Sequence, residues 1–326
     1  MKVLIATTPQ KLKRTKPLWS ALARLAEVQI EVLGDGPYRD LRDLSKHRDF
    51  DACDRIIIDH NLRRMGSEYR HLKRIPRQIL FDFDFCQNYI PEVGYNGRLE
   101  SVLKTIDENR IVVSSVHIKR DLQAKGFDAE FSPKAYDPDF IRDLGGARDV
   151  ELGFIGRTRT RAYSLRRAML DRLTAAMDLK ILRTAENEDY NRMLNRIQIF
   201  ICPDHGYHEL MIKNYEAMAA GCALVTSRPH PEEVDSLGFV DFENVVLYEN
   251  FEELTAKVAV LRKSPELRAR IAAAGRELAT RRHRWEDRAE PLLGLLQAPP
   301  RRPPPLTWRD RWALLLVMSK KSKYAS

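Results

Sequence analysis

Two charged side chains three residues apart, Lys213 and Glu216, lie in a segment predicted to form a helix after a short polar loop. Residues at this spacing share one face of a helix, so both side chains can reach the same ligand. The start of a helix also offers unpaired N–H groups and the positive end of its dipole to an anion. Glu216 can then bind a ribose diol while the helix start holds a diphosphate. The pattern predicts a nucleotide-sugar site.

Further donor-binding candidates lie in two predicted loops. Gly156 opens a loop that contains Arg157 and Arg161, and guanidinium groups can neutralise a diphosphate and the charge of a leaving group. The alternative for this loop is a basic turn on the surface. The second loop contains Tyr207, which can stack on a ring, and Met211, the last residue before Ile212-Lys213. We include all five residues among the candidates.

The catalytic candidates come from both halves of the chain. His208 precedes the predicted helix, and a histidine can donate to a phosphate or a sugar hydroxyl at neutral pH. An inverting transfer also needs a base, and Asp59 and His60 stand at a predicted strand end where they can supply one. A retaining transfer needs no such base. No metal is predicted, since the histidine spacing does not fit zinc and Asp82-Phe-Asp84 lies within a predicted strand.

The run Glu216-Ala-Met-Ala-Ala-Gly221 resembles part of a motif in retaining glycosyltransferases of the GT-B fold. The resemblance is to their group 1-like C-terminal domain, and it is closest to the CgeB-like spore-protein branch, which carries an Arg/Lys-x-x-Glu-Ala pattern. It covers residues 149 to about 295. It implies that Glu216 binds the donor ribose and that Lys213 occupies the basic position. The sequence departs from the family at His208, where relatives carry a first glutamate.

Short apolar runs alternate with amphipathic segments along most of the chain, which predicts parallel sheets covered by helices. We expect an α/β fold with two Rossmann-like domains in the GT-B architecture, a cleft between them, and a C-terminal helical tail. Ligands of such sheets bind beyond the carboxyl ends of the strands. The predicted strands are 3–7, 28–33, 55–59, 78–83, 111–115, 129–132, 152–155, 180–182, 197–202, 223–226 and 245–248.

Three segments are predicted. Residues 1–148 form an N-terminal acceptor domain, residues 149–295 form the nucleotide-sugar domain, and residues 296–326 form a Pro-rich linker with a basic amphipathic tail. The apolar run at 312–318 is too short to span a bilayer, which takes about 20 residues. Residues 306–323 carry two tryptophans and several basic residues, so the tail can dock on the N-terminal domain or lie on an anionic membrane surface, and the two can coexist.

Composition narrows the function classes. The chain of 326 residues has 44% hydrophobic and 31% charged residues and a net charge of +9, as expected for a folded protein with anionic partners. The N-terminus does not resemble a signal peptide, so we expect a cytoplasmic protein, and a peripheral position on the inner face of a membrane stays open. No nucleic-acid motif is present.

The predicted function is a glycosyltransferase that uses a nucleoside diphosphate-sugar as substrate, without a cofactor or metal. Its acceptor is a hydroxyl on a glycan, a lipid-linked molecule or a small molecule. The resemblance favours a retaining reaction. Two alternatives remain open at this point. One is a non-catalytic basic adaptor that binds a membrane or a protein, and the other is another sugar-nucleotide enzyme such as an epimerase.

Overall fold

The computed structural model describes residues 1–158, 163–185, 188–204 and 207–319. The chain divides into two compact units. Unit 1 contains Met1–Pro133 together with the chain from Glu286 onward, and unit 2 contains Lys134–Trp285. Among the described residues, no helix is long and apolar enough to cross a membrane.

Unit 1 is built on a six-stranded parallel sheet with the strand order β2-β1-β3-β4-β5-β6. Thr7 at the end of β1 pairs with Asp59 at the end of β3, and Asp59 pairs with Phe81 at the end of β4. The carboxyl ends of the central strands therefore share one edge of the sheet. The strands are β1 Lys2–Thr7, β2 Glu27–Val32, β3 Arg55–Asp59, β4 Gln78–Phe81, β5 Asn109–Val113 and β6 Ala129–Phe131.

Unit 2 has a five-stranded parallel sheet with the order β11-β10-β9-β7-β8. Its strands are β7 Val150–Ile155, β8 Lys180–Leu182, β9 Ile197–Cys202, β10 Ala223–Ser227 and β11 Val246–Tyr248. The inner strands are buried on both faces, which explains their continuous apolar sequences. The structure confirms the predicted α/β fold, and each of the eleven predicted strands matches an observed strand within two residues at either end.

Helices connect the strands in both units. The bounds are α1 Pro9–Leu22, α2 Leu41–His47, α3 Leu62–Met65, α4 Tyr69–Leu72, α5 Leu99–Leu103, α6 Val116–Ala124, α7 Ser164–Met177, α8 Glu188–Leu194, α9 Ile212–Ala219, α10 Pro231–Leu237, α11 Phe251–Lys263, α12 Pro265–Arg282, α13 Ala289–Gln297 and α14 Trp308–Met318.

The first helix contains two prolines. Pro9 stands at its start, where proline is favoured, and Pro17 lies inside it. Buried Thr15, Leu18 and Trp19 lie on the face that packs onto the sheet, and this packing holds the helix despite the internal proline.

The C-terminal chain differs most from the predicted division. The sequence placed 149–295 in one domain, whereas the structure groups everything after Trp285 with unit 1. The Arg55 and Arg110 side chains at the starts of β3 and β5 donate to backbone carbonyls of residues 295–298. Helix α13 also packs against α1. These contacts join residues distant in sequence, so composition alone could not reveal them.

Helix α14 docks on unit 1 next to α5 and the 3-10 turn Gly66–Glu68. Asp310 accepts hydrogen bonds from Ser101 Oγ at 2.8 Å and from Lys104 Nζ at 2.9 Å. Burial alone would raise the pKa of Asp310, but these bonds and those from Thr307 outweigh it and lower the pKa. The docking alternative for the tail is thus the observed one.

In unit 2, small residues let helices α9 and α12 pack closely. A Cβ atom at Gly275 of α12 would lie 2.7 Å from the Asn244 carbonyl oxygen and 3.6 Å from Met218 Cε of α9. Met218, Ala217 and Ala219 are buried between the sheet and α12. Gly275 therefore allows α12 to hold α9 against the sheet.

Gly275→Ala should destabilise the protein by about 1–3 kcal/mol, the cost typical of overpacking, because the new methyl group would clash with the backbone at Asn244. Urea unfolding measures this change. The matched control is Gly294→Ala in α13, where no atom lies within 4 Å of the added Cβ, and alanine should stabilise the helix by up to about 1 kcal/mol. Equal effects of the two substitutions would contradict the packing argument.

Candidate functional site

The start of α9 has no side-chain cap. Its N-cap residue, Met211, is extended and makes no capping hydrogen bond, and the first turn contains no acidic residue. The helix follows the loop after β9, at the carboxyl edge of the sheet. The positive end of the helix dipole, which favours an anion, thus lies at the position where parallel sheets bind ligands.

Three side chains meet beside this helix start. Tyr190 of α8 donates its hydroxyl hydrogen to Glu216 Oε2 at 2.6 Å, and Lys213 Nζ lies 4.6 Å from the centroid of the Tyr190 ring. Burial raises the pKa of Tyr190 well above its ordinary value, and the neighbouring Glu216 carboxylate raises it further. Tyr190 therefore stays a neutral donor. It orients the Oε2 atom of Glu216, while Oε1 makes no hydrogen bond within the described part of the chain.

Gly156 lies against the same cluster. A Cβ atom here would come within 3.0 Å of Phe154 Cζ and 3.2 Å of Lys213 Cε. The missing side chain lets Lys213 approach the loop that follows β7. The structure thus brings together three predicted residues, Gly156, Lys213 and Glu216, and adds Tyr190.

A buried chain of hydrogen bonds fixes α9 on the sheet. Asn214 Nδ2 donates to Thr226 Oγ1 at 3.0 Å, and Thr226 Oγ1 donates to the Cys202 carbonyl at 3.0 Å. Asn214 and Thr226 are each 1% exposed, so little solvent competes for these bonds. This linkage spans α9, β10 and β9, and it sets the distance between the helix and the carboxyl ends of both strands.

Polar contacts of His208 help to hold the loop before α9. The His208 backbone N–H donates to Asp204 Oδ2 at 2.6 Å, and His208 Nδ1 lies 3.3 Å from the Arg228 carbonyl oxygen. His208 has φ 50°, a left-handed backbone that is uncommon for a residue other than glycine, and its side chain is exposed. Next to it, Glu209 is 1% exposed and pairs with Lys134 Nζ at 3.2 Å. The acidic side chain is thus turned inward and the histidine outward.

The other predicted donor-binding residues make no described contact with the cluster of Lys213, Tyr190 and Glu216. Arg157 follows Gly156 and is exposed, Tyr207 is partly exposed, and Met211 packs against the core of unit 2. Arg161 lies outside the described residues. Their predicted roles remain predictions.

Sequence reasoning missed Tyr190 and Arg166. Arg166 is 2% exposed, and its Nε donates to the Pro203 carbonyl at 2.9 Å, directly after β9. Its guanidinium also lies 5.8 Å from the centroid of the Phe154 ring. Tyr190 and Arg166 are each one polar residue in an amphipathic helix, and no spacing in the sequence distinguishes them from exposed neighbours. An arginine among apolar helix positions was the one available signal.

Residues 156–294 match a family model described as glycosyl transferase-like. This matched region, 139 of the 326 residues, is glycosyl transferase-like, and the chain has the fold of GT-B enzymes. The matched region starts at the glycine beside Lys213 and includes all of α8 and α9, so it contains the whole cluster around Glu216. This match decides against the adaptor alternative. The narrower assignment to the CgeB-like branch stays a prediction.

Solved structures establish the fold of the chain. Sucrose-phosphate synthase from Thermosynechococcus elongatus has a TM-score of 0.64 at 12% identity, with 91% of this chain and 98% of that chain covered. Alr3699/HepE from Anabaena, in complex with UDP, has a TM-score of 0.59 at 12% identity, with 91% and 100% covered.

WaaG, a glycosyltransferase of lipopolysaccharide biosynthesis, has a TM-score of 0.54 at 11% identity, with 91% of this chain and 100% of that chain covered. At such low identity these likenesses concern the fold alone. No curated protein sequence matches the chain.

In unit 1, Asp59 is fully buried. Its Oδ2 accepts hydrogen bonds from Thr7 Oγ1 at 2.9 Å, Thr15 Oγ1 at 3.1 Å and Trp19 Nε1 at 3.3 Å. Lys11 Nζ lies 3.9 Å from Oδ1. The carboxylate therefore ties α1 to the ends of β1 and β3. This geometry argues against our prediction that Asp59 is a catalytic base, because a base must reach the proton it removes.

His60 is 4% exposed, and burial lowers its pKa to about 4, so the ring is neutral at pH 7. It stays a catalytic candidate only as a neutral imidazole.

The Asp-x-Asp pair lies just after β4, which ends at Phe81 rather than at the predicted residue 83. Asp82 accepts from the backbone N–H groups of Leu62 and Asp84, and burial raises its pKa to about 6.

Among the described residues, no group of three or more histidine, cysteine, aspartate or glutamate side chains could hold a metal ion. Asp84 Oδ2 accepts a hydrogen bond from Asn61 Nδ2 at 2.8 Å, which links the loops that follow β4 and β3 in unit 1. The predicted independence from a metal stays a prediction.

Asp59→Ala should lower the free energy of unfolding by about 1.5–3 kcal/mol, because three buried donors lose a charged acceptor. Urea unfolding measures the change. The exposed Asp51→Ala serves as control and should stay within about 0.5 kcal/mol of the original protein. A stable Asp59→Ala protein that has lost transfer activity would instead support the base.

Proposed function

We propose that the protein transfers a sugar from a nucleoside diphosphate-sugar to a hydroxyl group of an acceptor. The observation that carries this proposal is the arrangement of Lys213, Tyr190 and Glu216 beside the uncapped start of α9. The acceptor is a glycan, a lipid-linked molecule or a small molecule.

The donor would lie along the first turns of α9. A helix rises about 1.5 Å per residue, so Glu216 is about 7.5 Å along the axis from Met211. One ligand can therefore place its diphosphate at the helix start and its ribose at Glu216. Lys213, between the two, supplies a point charge for the phosphates, and Tyr190 leaves Glu216 Oε1 available to a ribose hydroxyl.

This arrangement also supports departure of the diphosphate without a metal. The helix start, Lys213 and the exposed Arg157 are positive groups, and positive groups beside the diphosphate stabilise the charge that develops in the transition state. We propose a retaining reaction, because the family resemblance favours it and the buried Asp59 is poorly placed as the base of an inverting one. NMR of the product anomer tests the stereochemistry, and activity in excess chelator tests the metal.

The structural neighbours are compatible with this donor class. Alr3699/HepE is described in complex with UDP and also with UDP and glucose. UDP is therefore the first nucleotide to test. An epimerase acts on the same substrates but leaves the sugar on the nucleotide, so transfer of a labelled sugar to an acceptor separates the two functions. We also propose a cytoplasmic location, peripheral on the inner face of a membrane.

Glu216→Gln should keep the fold but weaken UDP binding by about 1.5–3 kcal/mol, the range for hydrogen bonds to a charged group. Tyr190→Phe should weaken it less, by about 0.5–1.5 kcal/mol, because Glu216 loses its orienting donor but keeps its charge. Calorimetric titration measures both. Glu266→Gln, an exposed glutamate on α12, is the control. Unchanged affinity of a folded Glu216→Gln protein would remove the ribose assignment.

Lys213→Ala and Arg157→Ala should reduce affinity for UDP more than for UMP or uridine, because both cations are assigned to the phosphates. We expect a loss of about tenfold for the diphosphate in Lys213→Ala, as for a charged hydrogen bond. The exposed Lys263→Ala is the control for net charge. Equal losses for all three ligands would mean that these residues act through fold stability.

A further inference from the structure

Helix α14 carries an exposed apolar face. The large side chains on it are Trp308, Trp312, Leu315 and Leu316, with 68%, 65%, 63% and 51% of their surface exposed. Their spacing of four, three and one places them within about 100° of the helix circumference, at 100° per residue. We call these four residues the tryptophan face. Exposing large apolar side chains such as tryptophan and leucine to water is unfavourable, so this face suits an apolar or interfacial partner.

The opposite side of α14 is anchored to unit 1. Val317 is 1% exposed, and Asp310 is held by Ser101 and Lys104. Thr307 and Asp310 also form a capping box at the helix start. The helix is thus a fixed part of unit 1, and the tryptophan face is exposed because of how the helix docks.

The charges around the tryptophan face indicate the partner. Arg309 and Arg311 are exposed, and their helical angles place them on either side of the face. Residues 301–323 contain seven basic residues, Arg301, Arg302, Arg309, Arg311, Lys320, Lys321 and Lys323, and one acidic residue, Asp310, which is turned into unit 1. An apolar strip bordered by arginines matches the boundary between acyl chains and anionic headgroups.

The length of α14 suits the plane of this boundary. Its 11 residues extend about 16 Å, against about 30 Å for the hydrocarbon core of a bilayer. We propose that unit 1 binds the surface of an anionic bilayer through the tryptophan face, with α14 lying in the headgroup region and Arg309 and Arg311 contacting lipid phosphates. This proposal rests on the peripheral location proposed above and names the surface responsible for it, but binding through this face needs neither a donor nor the transfer reaction.

The test uses the full chain and two kinds of vesicle, pure phosphatidylcholine and phosphatidylcholine mixed with phosphatidylglycerol. We expect co-sedimentation with the anionic vesicles, weakened by salt. Trp308→Ser with Trp312→Ser should reduce the affinity at least about tenfold, since it removes both interfacial aromatic anchors. Leu165→Ser, at an apolar position with 59% exposure in unit 2, is the matched control and should bind normally.

A second pair of variants tests the charges. Arg309→Glu with Arg311→Glu should also weaken binding at least about tenfold. Arg270→Glu with Arg281→Glu on α12 changes the net charge equally at exposed positions and should bind like the original protein. Urea unfolding shows whether each variant is folded.

Tryptophan fluorescence gives an independent readout. The chain has four tryptophans, and Trp19 and Trp285 are buried at 0% and 2% exposure. Anionic vesicles should therefore shift the emission of Trp308 and Trp312 to shorter wavelength. The shift should be lost when both are replaced by serine.

Three results would overturn the proposal. They are no binding to anionic vesicles at low salt, equal binding by the folded Trp308→Ser, Trp312→Ser protein, and a dimer without lipid that this double substitution dissociates. The last would assign the face to a second copy of the chain. Loss of vesicle binding with normal UDP affinity would leave the proposed function intact, and loss of UDP binding alone would leave the membrane surface intact.

Discussion

The position of α9 against its sheet is the constraint on which the candidate site depends. On the sheet side, the hydrogen bonds from Asn214 to Thr226 and from Thr226 to the Cys202 carbonyl fix the helix over β9 and β10. On the other side, Gly275 lets α12 close over the helix. A rotation of α9 would move its uncapped start and Glu216 together, because both are rigid parts of one short helix.

Around this helix the site is assembled from separate elements. Tyr190 comes from α8, Gly156 from the loop after β7, and Lys213 and Glu216 from α9. The Tyr190 ring contacts the cation while its hydroxyl binds the carboxylate, so one neutral side chain positions two charged ones. Removing a residue at such a junction affects both neighbours, and its energetic effects are not additive.

Unit 1 uses its buried charges differently. Asp59 gathers three donors and holds α1 on the sheet, and Asp310 holds α14 on the outside of the same unit. Both are carboxylates whose burial is compensated by hydrogen bonds, as the cost of desolvation requires. The second anchor has a further effect, because it fixes which side of α14 is exposed. The hydrogen bonds of Asp310 thereby help to determine that the tryptophan face is the side of α14 that is exposed.

The sequence by itself determined the strands and the α/β class, and it predicted Lys213, Glu216 and Gly156 as donor-binding residues, because apolar periodicity and helical spacing are local properties. It did not reveal Tyr190, whose partner is 26 residues away, or the burial of Asp59 among donors from β1 and α1. The return of the C-terminal chain to unit 1 also depends on contacts such as Arg110 with residues 295–298. Only the tertiary structure decided these features, because hydrogen bonds and burial between distant segments depend on how the folded elements pack and leave no periodic signal in the chain.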